Sequence, residues 1–388
     1  MQASFPDEFA LVAACCRWPP TAEVAADVQR RAAGALDWRL VLRIAARHRV
    51  VGLMHHALHA AGVPCPEDVQ AILERKGGAI ARQNLALAAE TLRLQRHFDA
   101  AGIAAVVLKG ASLAQRAYGS TAFKHGRDID LVVPPAHAFA ALRILEDDGY
   151  ALVDPARELT DAQRHAYIAR GYQMELFDAR RGTRVELHWR LSENPHLLAG
   201  IDAFADGQSV PVAGGTVRTL NDADLFAYLC VHGADHFWFR LKWLADLNAL
   251  LGAMDDAGLG ALYAHAQAHG AGRCAGQALL LCERILGLRL PAVLHDVLVR
   301  DRGVRRLVAI SLGNMIGANP AVEPVLDAAR QAAELRWRFL LGRGTRFLLA
   351  QCGIAVTAPA DVLRWPLPPA LRFVYPLVRL PSWVMRRR

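Results

Sequence analysis

The sequence predicts an α+β fold: a small mixed sheet with helices, set between an N-terminal and a C-terminal helical region. Three observations carry this. Residues 8–100 repeat apolar positions at spacings of three and four, the period of a helix. Residues 102–220 switch to short β-branched runs bounded by glycine and proline. From Asn221 onward the helical period returns. The expected units are therefore an N-terminal helical region at 1–101, an α/β core at 102–220 and a C-terminal helical region at 221–388.

The N-terminal helices show as Trp38-Leu40-Val41-Ile44-Ala45 and Val51-Leu53-Met54-Leu58, interrupted at Pro19-Pro20 and at Pro64 to Pro66. A longer pattern from about Ile80 to Ala101 runs into Gly102, which suits a helix C-cap. Ala104 to Leu108 is an apolar run that ends at Lys109-Gly110 and reads as a buried strand. Asp128-Ile129-Asp130-Leu131-Val132-Val133 is a second strand, stopped by Pro134-Pro135, and a helix follows over 136–148. Tyr172 to Asp178 and Thr183 to Trp189 predict a hairpin around Ala179-Arg180-Arg181-Gly182. Asn221 or Asp222 can cap the first helix of the C-terminal region.

Composition sets bounds on function. Of 388 residues 53% are hydrophobic and 21% charged, which excludes disorder. With 45 Lys+Arg against 37 Asp+Glu the net charge is +8, which suits an anionic ligand, but no Lys/Arg block marks a nucleic-acid arm. Only four of the basic residues are lysines: Lys76, Lys109, Lys124 and Lys242. The seven cysteines are scattered and form no CxxC pair, which points to free thiols in a reducing cytoplasm. No basic leader precedes Asp7 and Glu8, and no apolar run reaches the roughly 18–20 residues of a spanning helix. The Pro-, Arg- and aromatic-rich tail from Trp365 could touch a membrane surface peripherally, although packing back on the helices is the simpler account.

The chemistry concentrates at Lys109–Val133. Residues two apart on a strand share a face, so Asp128 and Asp130 project together and need a cation between them. Hard oxygen ligands suit Mg²⁺. Glu186, in Val185-Glu186-Leu187-His188-Trp189, is the third carboxylate that would complete a two-ion site, one ion for a triphosphate and one for an attacking hydroxyl. Lys109 and the backbone of Gly110, at a strand-to-helix turn, are candidate phosphate ligands. Arg127 could neutralise phosphate charge or pair with an acid. Lys124 and His125 are expected in a solvated loop, with substrate contact the alternative, and His188 as a packed edge residue beside Trp189, with support of Glu186 the alternative.

Taken together, Leu108-Lys109-Gly110, Tyr118, Arg127-Asp128-Ile129-Asp130-Leu131-Val132, Gly149-Tyr150, Val185-Glu186-Leu187-His188-Trp189, His232 and Trp243-Leu244-Ala245-Asp246-Leu247 resemble the bacterial "uncharacterised nucleotidyltransferase" family of the DNA polymerase β-like superfamily. The resemblance implies a nucleotidyltransferase-like core with catalytic and metal-binding Asp128, Asp130 and Glu186. It also implies two Mg²⁺ ions, an NTP donor, and phosphate contacts from Lys109, Gly110, Ser112 and Arg127. The acceptor expected is a hydroxyl or phosphate of a small molecule, peptide or natural product rather than nucleic acid. The superfamily places Ser or Gly directly after the motif glycine; here Ala111 stands there and Ser112 one later. That departure motivates a second reading, a non-catalytic nucleotide- or partner-binding module. A third is a metal hydrolase centred on His232 and His236, an i, i+4 pair, with Asp235 as base and Asp246 as third ligand.

Overall fold

The computed structural model describes residues 5–155, 159–317, 319–323, 328–356 and Leu363. The tail from Trp365 lies outside them. The fold is α+β. Four helices, α1 (Asp7–Ala14), α2 (Ala22–Ala32), α3 (Trp38–Arg47) and α4 (Val51–Ala60), precede the long α5 (Glu67–Ala100). The sheet segment is β1 (Val106–Val107), α6 (Ala111–Tyr118), β2 (Asp128–Val132), α7 (Ala138–Asp147), β3 (Ala151–Asp154), α8 (Asp161–Arg170), β4 (Gln173–Asp178), β5 (Thr183–His188), β6 (Gln208–Val212) and β7 (Gly215–Thr219). Helices α9 (Asp222–Asp235), α10 (Leu241–Leu251), α11 (Asp256–Ala268), α12 (Gly272–Leu281), α13 (Ala292–Arg300), α14 (Arg302–Met315), α15 (Ala328–Arg338) and α16 (Thr345–Val356) follow.

The seven strands form one mixed sheet in the order β3-β4-β5-β2-β1-β7-β6. β2 runs parallel to β5 and antiparallel to β1, while β1 runs parallel to β7. Alternation along the strands splits the apolar residues between two cores. Ala105, Val107, Ile129, Leu131, Val185 and Leu187 join α7 and the second half of α5 in one. Val106, Leu108 and Val132 face the other way, into a larger core built by α1–α4 and α9–α14. The two helical regions thus meet over one face of the sheet, and Asp128, Asp130, Glu186 and His188 point toward that junction.

Helix α5 belongs to both cores. Val69, Leu73 and Ile80 pack in the helical core, and Leu87, Ala88, Leu94 and Phe98 in the sheet core. It stops as its sequence requires: Gly102 takes the left-handed conformation (φ +69°), and the Ile103 N–H donates to the Phe98 carbonyl at 2.8 Å. Its side chains also hold the sheet edges. Gln95 donates to the Thr216 carbonyl at 3.0 Å and accepts from the Arg218 N–H at 2.9 Å, completing β7's backbone bonding. Tyr150 donates to Glu90 at 2.5 Å, and Arg93 bridges Glu90 and Asp148.

This network predicts an acid response. Against the desolvation of burial, the Arg93 and Tyr150 hydrogen bonds hold Glu90 below its ordinary range, and Arg93 does the same for Asp148. Carboxylates depressed in the folded state contribute stability that is present above their unfolded pKa values, near 4. That contribution is lost as pH falls through the lower, folded values. Arg93→Met should reduce this acid-side slope, with Tyr150 and Arg181 still facing the carboxylates, and cost about 2 kcal/mol at pH 7, less than a fully buried pair because Arg93 is a quarter exposed. Urea unfolding of both proteins from pH 7 to pH 3 checks it: equal slopes below pH 5 would refute the assignment.

No helix among the described residues is long and apolar enough to cross a membrane. All seven cysteines are unpaired.

Candidate functional site

The site begins at the turn between β1 and α6. Gly110 adopts φ +77°, ψ −127°, a conformation that only glycine takes without strain, and no side chain caps the helix that starts behind it. The first-turn N–H groups of α6 are therefore open to an anion. Ser112 does not share this position. It is fully buried, and its hydroxyl donates back to the Lys109 carbonyl at 3.3 Å.

Beside the turn, β2 and β5 pair in parallel register with Asp130 opposite Glu186 and Val132 opposite His188. This register brings Asp130, Glu186 and His188 together, with one ligand atom from each lying within 4.8 Å of the others. Asp128 is on the same face, half-exposed, and outside that group. Lys109 reaches into it, its ammonium 2.6 Å from Asp130 Oδ1 and 3.9 Å from Glu186. Burial opposes the Lys109 charge, but Asp130 and Glu186 raise its pKa well above the ordinary value. Burial likewise opposes the Glu186 charge, yet Lys109, and after it His188 at 3.6 Å, lower its pKa to about 2. Arg184, two residues before Glu186, pairs with Glu175.

Two features of this cluster suit a cation. Both Asp130 oxygens and both His188 ring nitrogens are buried without a well-directed hydrogen bond, Lys109 approaching Asp130 as an ion pair only. Asp130 Oδ1 has the Lys109 ammonium; the other three atoms, left unsatisfied, are costly unless something ligates them. The donor set, two carboxylates and an imidazole, fits a divalent ion, and the nitrogen ligand favours Mn²⁺ more than an all-oxygen set would. His188 is thus a cluster member and not the packed edge residue expected from sequence. Its neighbour Trp189 is the structural one, donating to the Gly171 carbonyl at 2.8 Å.

The cleft in front of the cluster is lined by Lys109, Gly110, Lys124, Asp128, His232 and Lys242, among others. Lys124 is buried and not solvated: its ammonium lies 3.3 Å from Asp246, which also accepts from the Tyr118 hydroxyl at 2.9 Å. Tyr118 and Asp246 thereby clasp α6 to α10. His125 is half-buried, and burial together with Lys242 and Arg49 lowers its pKa to about 4. Arg127 is exposed at the rim. The strand approach is set by Asn84 on α5, whose amide donates to the Thr121 carbonyl at 2.7 Å and to the Lys124 carbonyl, and accepts from the Gly126 N–H at 3.1 Å. Sequence reasoning passed over Asn84. An amide in the middle of a helix, where it has poor propensity, was the available signal.

His232 lines the cleft, and His236 lies beside it. Their rings meet at 4.7 Å, and His236 stacks on Trp243 at 5.0 Å. Burial, then Lys109, lowers the His236 pKa to about 3, and burial drives His232 well below its ordinary value, so both are neutral. With Asp246 engaged by Tyr118 and Lys124, no third ligand joins them. Among the described residues, the group with metal-ligand spacing is Asp130, Glu186 and His188.

Residues 34–287, well over half of the chain, match the sequence profile of a family described as "Uncharacterised nucleotidyltransferase". No curated protein and no solved structure matches the chain.

Proposed function

The chain belongs to this uncharacterised nucleotidyltransferase family, and from that membership we propose that it transfers a nucleotidyl group from an NTP to a hydroxyl or phosphate of a small-molecule, peptide or natural-product acceptor, with Mg²⁺ or Mn²⁺. The observation that carries the proposal is the in-register pair of Asp130 and Glu186, with His188, opening on an uncapped Gly110 turn. Asp130, Glu186 and His188 would hold a divalent ion, with Asp128 available to a second. Such an ion would supply charge neutralisation at the phosphate and a lowered pKa for the acceptor hydroxyl. Glu186, held ionised down to about pH 2, is suited to ligation and is too weak a base to accept the acceptor's proton. The Gly110 turn would receive the phosphate to be attacked, and Lys109 would keep the carboxylates charged and fixed between substrate molecules.

Calorimetry of each NTP with and without Mg²⁺ or Mn²⁺ tests this on wild type and on Asp128→Ala/Asp130→Ala. One NTP should bind only with metal, at least a hundredfold more weakly in the double variant. Failure of every NTP to bind wild type would end the proposal. A second reading has its own support: the Lys109 ammonium already lies within 2.6 Å of Asp130, in the place a metal would take. A binding module built this way would hold nucleotide without metal and release no pyrophosphate.

A further inference from the structure

Three of the chain's four lysines, Lys109, Lys124 and Lys242, line one cleft; the fourth, Lys76, is exposed on α5. Elsewhere the chain meets its need for basic charge with arginine, 45 − 4 = 41 residues. Lysine offers a compact ammonium on a slender stem, able to enter a narrow space that a planar guanidinium would fill. The three are not equivalent. Lys109 is paired with Asp130 and Lys124 with Asp246. Lys242 is 9% exposed and has no ion pair among the described residues. Its contacts are the Trp243 ring, 5.7 Å from the ammonium, and the longer-range fields of Lys124, Asp128, Lys109 and Arg49.

By the rules of stability Lys242 is misplaced three times over. A buried ammonium without a partner is unfavourable. It occupies the first turn of α10, where the helix dipole repels a cation. The chain reaches that position through Phe237 and Trp238, consecutive non-glycine residues in the left-handed region at φ +54° and +48°. A multiply charged anion in the cleft would offset the first two costs together. Arg49 adds a positive field to that of Lys242, while Lys109 and Lys124 are paired, so a multiply charged anion would offset more than a single carboxylate even with Asp128 nearby.

We propose that Lys242, with Lys124 beside it, anchors the terminal phosphates of a polyphosphate donor, so that the donor is a nucleoside triphosphate gripped at its leaving end by α10 rather than by the Lys109–Gly110 turn. This rests on the transfer reading above and adds to it the residue that holds the donor's terminal phosphates. Lys109 stays with the carboxylates, and Lys242 carries the charge of the departing pyrophosphate.

Inorganic tripolyphosphate without divalent metal is the probe, since its binding needs neither turnover nor a nucleobase. Lys242→Met should weaken its affinity at least tenfold and raise the melting temperature of the ligand-free protein, whereas a merely structural lysine would lower that temperature when removed. In wild-type protein carrying ε-¹³C-lysine, four signals are expected. Tripolyphosphate should shift those of Lys242 and Lys124 and leave Lys76 in place. Inorganic monophosphate should bind far more weakly. An unmoved Lys242 signal, unchanged affinity in Lys242→Met, or equal binding of monophosphate overturns the inference. If NTP and metal bind and react in Lys242→Met as in wild type, the inference falls and the transfer reading stands. If tripolyphosphate binds through Lys242 but no NTP binds with metal, both readings fall and the cleft is a site for inorganic polyphosphate only.

Discussion

Asp130→Asn should lower metal-dependent nucleotidyl transfer by a factor of a thousand or more, about 4 kcal/mol of transition-state stabilisation. The side chain keeps its size and one carbonyl oxygen, but loses the charge that faces Lys109 and gains an NH₂ in place of the second ligand oxygen. Stability should fall as well, by about 2–3 kcal/mol, because the buried Lys109 is left with a carboxylate 3.9 Å away in place of one at 2.6 Å. The two effects separate in a double variant. Adding Lys109→Met removes the stranded charge and should recover most of the stability without recovering turnover. Thermal melts and Mn²⁺ binding by electron paramagnetic resonance read the two arms. Wild-type turnover in Asp130→Asn would exclude Asp130 from the chemistry.

The second large effect lies outside the metal cluster. Asn84→Ala should destabilise the protein by about 2–3 kcal/mol, since two buried carbonyls and one N–H in the 121–126 loop lose their partner together. Activity should fall with it, because the loop positions Lys124 and delivers the chain to Asp128. Asn84→Asp is the discriminating variant. A carboxylate can still accept from Gly126 but cannot donate to Thr121 or Lys124, so it should be no better than alanine. Hydrogen exchange at the Gly126 amide reports the loop directly; protection retained in Asn84→Ala would show that the clamp does not hold it.

The parts of this molecule that were legible in sequence are those whose pattern is local. β2, the β4–β5 hairpin and the Gly102 helix stop each announce themselves within one short contiguous stretch. Asp130 and Glu186 could be matched because each sits in an alternating strand whose apolar residues fix its face. The β6–β7 hairpin escaped notice for the opposite reason. Gln208–Val212 contains Pro211 and Gly215–Thr219 has a single large apolar residue, Val217, so neither reads as a strand alone. They become strands by pairing with each other and with β1, and through Gln95 on α5. Lys124 looked solvated because its partner, Asp246, is 122 residues away. His188 looked peripheral because only the parallel register of β2 and β5 reveals that it borders Asp130. The lysine skew was visible from composition, but its meaning depends on three distant segments folding to one cleft.

Helix α5 imposes one more condition, on chain length. Its first half is keyed to the helical core through Val69, Leu73 and Ile80, and its second half to the sheet core through Leu87, Leu94 and Phe98, with Asn84 between. Each residue added to a helix turns everything beyond it by about 100°. A single insertion or deletion between Ile80 and Leu87 would therefore swing one face out of its core and carry Asn84 off the loop it holds. Substitutions along this stretch can be graded by size and polarity, but its spacing cannot drift. Over evolutionary time this hidden stretch of helix must keep count.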